Sequence, residues 1–315
     1  ITISTGTTSG IQNTSNTWES DDSTGSSILK VSDLLTILSS ANVTISTQQN
    51  ASGQTAPAGG DITVYNAIDN SANNNNLTLI AGEDISIFSP ITMGSSGDLT
   101  LRAGQRSDLD TGSVLATAAL TANNLTVEAD TGITILNAVV DSMDITINET
   151  GAANVSNTQS FSLAADSNNN NLTASTSGGN LSVVSIDAGT GDVSLTSTAG
   201  SITDADTGSD ATANVIADQV TLASATGIGA SGDGDFDTTA STLIPSVSGS
   251  GAIFITDSDA VSLGATSTGS GNITIATAGS GLLTVSGSVN SSSGDIALTG
   301  DDGVTHAATG DLTTG

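Results

Sequence analysis

The sequence contains no cysteine and only three basic residues, Lys30, Arg102 and Arg106. The absence of cysteine excludes disulfide and thiol chemistry, and it fits an exported bacterial protein at least as well as a cytosolic one. The formal net charge is −29 at pH 7. Binding to a phosphate backbone needs clustered Lys and Arg, and an anionic membrane would repel this chain. We therefore expect neither a nucleic-acid partner nor membrane binding.

Large rings and long apolar runs are also scarce. Aromatic residues make up 2% of the chain and hydrophobic residues 36%. The core is therefore expected to consist of many thin layers of Val, Ile, Leu and Ala. No apolar run approaches the roughly 18 residues of a membrane span, so we expect no membrane insertion. Three prolines and 36 glycines suit a chain that turns often between short strands.

The chain is rich in one short pattern, in which two apolar residues flank a hydroxyl residue. Leu77-Thr78-Leu79 and Ile85-Ser86-Ile87 show it, and the second copy begins eight residues after the first. A period of two places the apolar pair on one face of a strand and the hydroxyl on the other. The same offset returns at Leu125/Ile133, Val220/Ile228, Ile253/Val261 and Ile296/Val304. A disordered tract has no reason to keep this alternation, so the pattern favours a repeat fold.

A turn signature precedes most of these strands. It is Gly-Asp or Asn-Asn, as at Gly60-Asp61 and Asn123-Asn124. Such residues tolerate the backbone conformations of a tight corner, and asparagine runs there predict ladders of side-chain amides. The repeat is about 24 residues long, too small to close a core alone. We therefore predict roughly 13 coils, stacked with parallel strands in one elongated domain, with aliphatic ladders inside and hydroxyls outside.

Residues 1–41 differ from the rest of the chain. They begin with a strand pattern and a polar stretch, and apolar residues then recur at helical spacing between Ile28 and Leu38. We predict a short helix from Asp33 to Ser39, capped by Ser32, that plugs or decorates the repeat. Residues 42–315 are predicted to form the repeat itself, continuous with the first part. The intervals 104–123, 148–160, 203–217 and 229–250 are predicted to be loops.

Three strand modules share a turn, an apolar–hydroxyl–apolar strand, or both: Gly60-Asp61-Ile62-Thr63-Val64, Leu77-Thr78-Leu79-Ile80-Ala81 and Leu99-Thr100-Leu101-Arg102-Ala103. They resemble the modules of the filamentous haemagglutinin-like adhesins, which are large exported surface proteins of bacteria. The resemblance extends over about residues 30–135 and more loosely to the end. It implies an all-β fold, a right-handed parallel β-helix, with export to the cell surface and a role in adhesion, aggregation or matrix formation.

Some parallel β-helices act on acidic polysaccharides, so an enzyme is the alternative hypothesis. Such a site needs cations that hold uronate carboxylates, or paired catalytic carboxylates. Arg102 and Arg106, near Asp98, Asp108 and Asp110, are the best candidates for a mixed-charge site. An exposed ion pair is the simpler interpretation. His306, the one histidine, has no partner set for a triad or a metal site.

Alternating carboxylates suggest one cation site. Asp233, Asp235 and Asp237 could direct oxygen ligands at calcium from a single loop. The twelfth position of an EF-hand loop would need a glutamate, but Ile244 stands there, and a metal-free acidic loop is the competing interpretation. Asp204, Asp206 and Asp210 form a weaker cluster. We expect no other cofactor.

These patterns favour a non-enzymatic, extracellular rod that serves as a surface adhesin or fibre segment. Neither end of the sequence shows an obvious cap, and unpaired strand edges invite another coil. We therefore expect the rod either to stack end to end with other copies or to continue in a longer chain. Host or matrix glycans are the expected ligands.

Overall fold

The computed structural model describes residues 1–20, 27–47, 60–105, 111–205 and 212–314. It is nearly all β, with 53% of residues in strands and 3% in helix, and it forms a parallel β-solenoid of about 13 turns with a single helix. The predicted fold class is therefore confirmed. By its internal contacts the chain divides into two compact units, residues 1–156 and 157–315. The predicted division at residue 41 stays a prediction.

Short strands account for almost all of the regular structure in the first half of the chain. The elements in order are β1 (Thr2–Ser4), β2 (Ile11–Thr14), β3 (Thr17–Ser20), β4 (Ile28–Lys30), α1 (Val31–Leu38), β5 (Val43–Ser46), β6 (Ile62–Val64), β7 (Ile68–Asp69), β8 (Leu77–Ile80), β9 (Ile85–Ile87), β10 (Ile91–Thr92), β11 (Leu99–Arg102), β12 (Val114–Ala116), β13 (Leu120–Thr121), β14 (Asn124–Ala129), β15 (Ile133–Val139), β16 (Ser142–Ile147) and β17 (Ala153–Asn157).

The second half of the chain contains strands alone among its described residues. They are β18 (Phe161–Asp166), β19 (Leu172–Thr176), β20 (Leu181–Asp187), β21 (Val193–Ser197), β22 (Ser201–Asp204), β23 (Val215–Ser224), β24 (Gly227–Ile228), β25 (Phe236–Val247), β26 (Ile253–Asp257), β27 (Val261–Leu263), β28 (Thr266–Thr268), β29 (Ile273–Thr277), β30 (Leu283–Val285), β31 (Ser288–Ser291), β32 (Ile296–Thr299), β33 (Val304–His306) and β34 (Asp311–Thr314).

In the first unit, parallel pairing joins each coil to the next in register. Leu77 of β8 pairs with Leu99 of β11, and Leu99 pairs in turn with Leu125 of β14. All three side chains are fully buried. The hydroxyl residues between them point outward, and β5, β8, β11 and β14 carry one threonine row of Thr44, Thr78, Thr100 and Thr126. The period-two prediction of apolar inside and hydroxyl outside is correct.

The second unit repeats this pairing. Phe161 pairs with Leu181, and Leu181 pairs with Ile202. Further along, Ile253, Ile273 and Ile296 follow one another in register. The length of chain between partners differs from coil to coil, which shows that corners absorb insertions while the strands keep their places.

Asparagine and aspartate side chains clamp successive coils at one corner. The Oδ1 atom of Asn42 accepts from the backbone N–H of Asn76 at 2.9 Å, and Oδ1 of Asn76 accepts from the N–H of Asp98 at 3.0 Å. Asn124 continues the column, since its Nδ2 donates to Oδ1 of Asp98 at 2.8 Å. Asn171 and Asn272 likewise accept from the N–H groups of Asp192 and Asp295 in the second unit. The turn signature thus supplies the predicted amide ladder and fixes the register.

Buried hydroxyls close other corners. Ser197 Oγ donates to the carbonyl of Gly179 in the preceding coil at 2.7 Å and accepts from the N–H of Gly200 in its own turn at 3.1 Å. Backbone groups buried at a corner would otherwise lose their hydrogen bonds, at a cost of about 1–3 kcal/mol each. A comparable pair of hydrogen bonds is made by Thr47, Thr176, Thr268 and Ser291.

The predicted helix is present, but its start and cap differ from the prediction. It begins at Val31, the cap position is Lys30 with no side-chain cap bond, and Ser32 lies inside the helix. The extended backbone of β4 runs directly into the helix, so no free turn remains for Ser32 to cap. Leu34 and Leu38 are fully buried, as expected of a plug.

In the first complete coil, β5–β6–β7, each of the three strands is covered on the side away from the next coil. Strand β3, which forms an antiparallel hairpin with β2, pairs with β5. Strand β1 pairs with β6, and α1 packs against β7. The repeat pattern could not predict this cap, because the cap is built from a hairpin, a strand and a helix of unrelated pattern.

The last described coil, β32–β33–β34, is covered on one side only. These strands pair with β29, β30 and β31, and the described residues provide no partner for their other edges. Residues at inward positions are consequently open to solvent, with Val304 46% and Leu312 51% exposed. Ile296, Leu298, Val304 and Leu312 line a concavity of about 860 Å³.

Three of the four intervals predicted to be loops, 104–123, 148–160 and 229–250, contain whole strands, so the prediction is wrong for them. The interval 203–217 overlaps only the end of β22 and the start of β23. The clearest case is β25, whose 12 residues form the longest strand of the described residues and lie inside the interval 229–250. Its sequence, Phe-Asp-Thr-Thr-Ala-Ser-Thr-Leu-Ile-Pro-Ser-Val, lacks the apolar–hydroxyl–apolar pattern of most other strands. Pairing with β23 on one side and β26 and β27 on the other imposes the strand. Residues 106–110 and 206–211 of two other intervals lie outside the described residues.

Asn76→Ala tests the corner ladder. The change removes the bond from Asp98 N–H and the 3.2 Å bond from Asn76 Nδ2 to Asp98 Oδ2. Loss of these partly buried bonds is expected to lower the free energy of unfolding by about 1–2 kcal/mol, measured by urea unfolding. Asn137→Ala, at an exposed residue, is the matched control and should change stability by less than about 0.5 kcal/mol. Equal effects of the two changes would contradict the role of the ladder.

Candidate functional site

The second unit has a small acidic cavity at the corner where β25 and β26 pair. Its volume is about 220 Å³. In register, Asp237 faces Thr256 and Thr238 faces Asp257 across the two strands. The residues that line the cavity are Ala213, Asp235, Asp237, Thr238, Thr256, Ser258 and Ala278.

The local sequence explains why carboxyl groups gather here. Phe236 is fully buried and anchors the start of β25, so the aspartates on either side of it are held at the coil corner. Asp235 is half-buried and accepts a hydrogen bond from Thr256 Oγ1 of the next coil. Asp237 is buried, with 8% of its surface exposed.

Asp257 lies next to the cavity, at the fully buried end of β26. Its Oδ2 accepts from Thr238 Oγ1 at 2.7 Å and from the Ala240 N–H at 3.1 Å. Its Oδ1 accepts from the Asp259 N–H at 3.2 Å. The carboxyl group is therefore well provided with donors, but all of them are neutral.

Burial raises the pKa of Asp257 to about 7, well above its ordinary value. The hydrogen bond from Thr238 opposes this rise, and the nearby Asp259 carboxyl adds to it. A raised pKa follows because an ionised carboxylate loses hydration on burial and finds no cation here. Residues 157–315 contain no Lys or Arg at all.

A buried amide connects the carboxylate of Asp204 to the backbone of Asp237 in the same unit. Asn214 is 3% exposed, and its Nδ2 donates to Asp204 Oδ1 at 2.7 Å. Its Oδ1 accepts from the backbone N–H of Asp237 at 2.9 Å. Asn214 thus links Asp204 to the coil that carries the cavity. Asp206 and Asp210, which were grouped with Asp204 from the sequence, lie outside the described residues.

The three residues predicted to bind calcium are only partly brought together. Asp235 and Asp237 both line the cavity, whereas Asp233 lies exposed in the preceding turn. No group of three acidic, histidine or cysteine side chains that could hold a metal ion occurs among the residues that the structure describes. Calcium binding at this loop stays a prediction.

The mixed-charge site suggested for an enzyme is an ion pair between neighbouring coils. Arg102 Nε donates to Glu128 Oε2 at 2.6 Å rather than to Asp98. Burial acts to raise the pKa of Glu128, but hydrogen bonds from Arg102, Asn148 and Gln105 outweigh it and hold the pKa below its ordinary value. Asp98 belongs to the asparagine ladder, and Arg106, Asp108 and Asp110 lie outside the described residues.

His306 lies in the exposed strand β33, paired with Val285 of β30.

Within the described ranges of the chain, no helix is long and apolar enough to cross a membrane. Comparison of the sequence with protein-family models, with curated proteins and with solved structures gave no match.

Sequence reasoning missed Asp257 and Asn214. A signal for Asp257 was present. Ile253, Ile255 and Asp257 are the inward residues of one strand, and the equivalent residues of the next coil are Ile273, Ile275 and Thr277. An acid in that place is an exception that the register would have exposed. Asn214 had no such signal, since its partners are set by a corner that no repeat predicts.

Calcium bound at Asp233, Asp235 and Asp237 would raise the melting temperature of the chain. A ligand that binds only the folded state stabilises it by about 2.7 kcal/mol at roughly 100 times its dissociation constant. The measurement is thermal unfolding in chelator and in millimolar calcium. Asp235→Asn should abolish the shift, and Asp302→Asn, at an exposed residue, should preserve it. An unchanged melting temperature of the wild type would contradict calcium binding.

Proposed function

We propose that this chain is a structural and adhesive segment of an exported bacterial surface protein, of the kind that the filamentous haemagglutinin-like adhesins represent. The observation that carries the proposal is the use of its polar side chains. Asparagine rungs and corner hydroxyls bond coil to coil, and the outward strand positions carry rows of threonine and serine. Such an arrangement builds a hydroxylated surface on each unit rather than a catalytic cleft. The proposed location is the cell surface or the extracellular space.

The proposal includes no enzymatic activity. Arg102 is engaged with Glu128 and is 42% exposed, so it is held as part of a coil-to-coil ion pair. A polysaccharide-degrading enzyme, the alternative hypothesis, would need this arginine for a uronate carboxylate. Turnover of an acidic glycan that Arg102→Ala abolishes would favour the enzyme.

One exposed aromatic pair is suited to adhesive contact. Tyr65 and Phe88 are 56% and 46% exposed, and their ring centroids lie 5.6 Å apart in a stacked arrangement. Trp18, Phe161 and Phe236 are buried, so this pair stands out in a chain poor in aromatics. Aromatic residues give large contact area at low entropic cost and dominate many binding surfaces. Glycans are the proposed ligands of this surface.

The double change Tyr65→Ser with Phe88→Ser should weaken adhesion without unfolding the chain. Both residues follow inward strand residues, and their backbone bonds, Tyr65 N–H to Ile3 O and Phe88 N–H to Val64 O at 3.0 Å each, do not depend on the rings. Loss of a central aromatic contact costs about 2 kcal/mol or more, or roughly 30-fold in affinity. Beads coated with the chain would be scored for binding to a panel of neutral and acidic glycans.

Leu136→Ser is the matched control, because Leu136 is 50% exposed in the same unit. It should leave bead binding unchanged. Binding by the wild type that the double change does not reduce would overturn the role of the aromatic pair. Absence of any binding by the wild type, to glycans or to cell surfaces, would contradict the adhesive function itself.

Self-association is proposed to use the last described coil. At the other end, β3, β1 and α1 already cover the first complete coil, so a head-to-tail contact would have to use the outer edge of β2, whose Gln12, Asn13 and Thr14 are polar and exposed. The edges of β32, β33 and β34, with their uncovered apolar residues, are the surface that can accept further strands. Two copies would meet there through the same coil. The next coil of a longer chain would occupy the same edge.

Leu312→Asp should abolish self-association of residues 1–315. It places a charge in the concavity beside Ile296 and Val304 and opposes burial there. Sedimentation equilibrium over a range of protein concentrations gives the stoichiometry. Leu136→Asp, at an equally exposed residue elsewhere, should not change it. A wild type that remains monomeric at every concentration would contradict this part of the proposal.

A further inference from the structure

Asp257 is a buried carboxyl group whose two neighbours in register both carry hydroxyls. In register it lies between Thr238 of β25 and Thr277 of β29. Thr277 satisfies its own corner, since its Oγ1 donates to Gly281 O at 2.6 Å and accepts from Asp301 N–H at 3.3 Å. The carboxyl group of Asp257 instead accepts three hydrogen bonds through two oxygens, and it adds an ionisable proton that a hydroxyl at that residue would not have.

The groups that face Asp257 are either neutral or acidic. The acidic group is Asp259, in the turn after β26; of the other nearby aspartates, Asp237 pairs with Thr256, and Asp235 accepts from Thr256 Oγ1. The other strands packed against β26 are β24 and β29, and neither contains a titratable residue. Asp301 reaches this corner through the hydrogen bond from its backbone N–H to Thr277 Oγ1.

Ionisation of Asp257 would therefore leave a buried negative charge with no cation beside it. An uncompensated buried charge is costly, so the group takes up a proton or its surroundings open to water. The raised pKa of Asp257, about 7, agrees with this geometry.

We propose that Asp257 is a proton-binding switch, which holds the corner between β25 and β26 closed while it is protonated and lets that corner loosen when it ionises. The closed corner includes the Thr238 and Ala240 bonds to the carboxyl group and the bond from Ser258 N–H to Thr238 O at 2.8 Å. The two donors to the carboxyl group favour its ionised form, but they do not offset the hydration that the carboxylate loses on burial. Its opening would widen the acidic cavity that Asp235 and Asp237 line.

The direction of the pH effect follows from the raised pKa. The folded state holds the Asp257 proton more tightly than the unfolded state, whose pKa is the ordinary 3.8. The stabilisation is complete below that value and is lost as the pH rises to about 7. Above about 7 both states are ionised, so the effect levels off.

Hydrogen exchange at the Ala240 and Ser258 amides tests the proposal in the full chain, with chelator present. After correction for intrinsic exchange, local opening in the wild type should rise about tenfold per pH unit between about pH 5 and 7, because one proton is released, and then level off. Asp257→Asn keeps the size and removes the charge, so its opening should not change with pH. Asp257→Ser, which restores a hydroxyl, should behave in the same way.

Asp302→Asn is the control for the general self-repulsion of an acidic chain, since Asp302 is exposed. It should keep the wild-type profile. The same tenfold rise in Asp257→Asn would overturn the proposal, because another group would then be responsible. A wild-type profile that is flat over the same pH range would overturn it as well.

Discussion

Parallel pairing of each coil with the next, in register, is the constraint on which the rest of the structure depends. It sets the distance between equivalent residues of successive coils at about 4.8 Å, so the same kind of side chain must fit at each level. Leu77, Leu99 and Leu125 satisfy this inside the first unit, and Thr78, Thr100 and Thr126 satisfy it outside. The scarcity of aromatic residues and the small set of residue types that recurs in the strands follow from that spacing.

The corners are where the constraint is most severe. At Gly151 the backbone φ is +101°, and a Cβ atom there would lie 2.1 Å from the carbonyl oxygen of Thr131 in the coil before. Side chains that remain at corners must satisfy backbone groups of two coils at once, as Ser197 and Asn76 do. Polar residues in this chain therefore serve the stack first, and a site for chemistry arises only where a corner departs from the pattern.

The sequence was sufficient to predict the architecture but not its exceptions. Period-two alternation and the Gly-Asp or Asn-Asn turns predict the coils, because every coil must bury one face of each strand and turn tightly at its corners. The strand β25 could not be predicted in this way, since its residues become a strand by pairing with β23 and β26. The cap over β5, β6 and β7 was missed because its parts are unique in the chain. Asp257 could not be told from the many exposed aspartates of the chain without the strand register, which places it at a buried position.

The central claim is that successive coils pair in the stated register, and paired cysteine substitutions in this cysteine-free chain test it most directly. Thr78→Cys with Thr100→Cys places two outward thiols on neighbouring coils, whereas Thr78→Cys with Thr126→Cys places them two coils apart. A bifunctional thiol reagent that spans about 5 Å should link the first pair, because neighbouring strands lie about 4.8 Å apart, and it should fail on the second pair. Equal linking of the two pairs, or linking of the second alone, would contradict the solenoid.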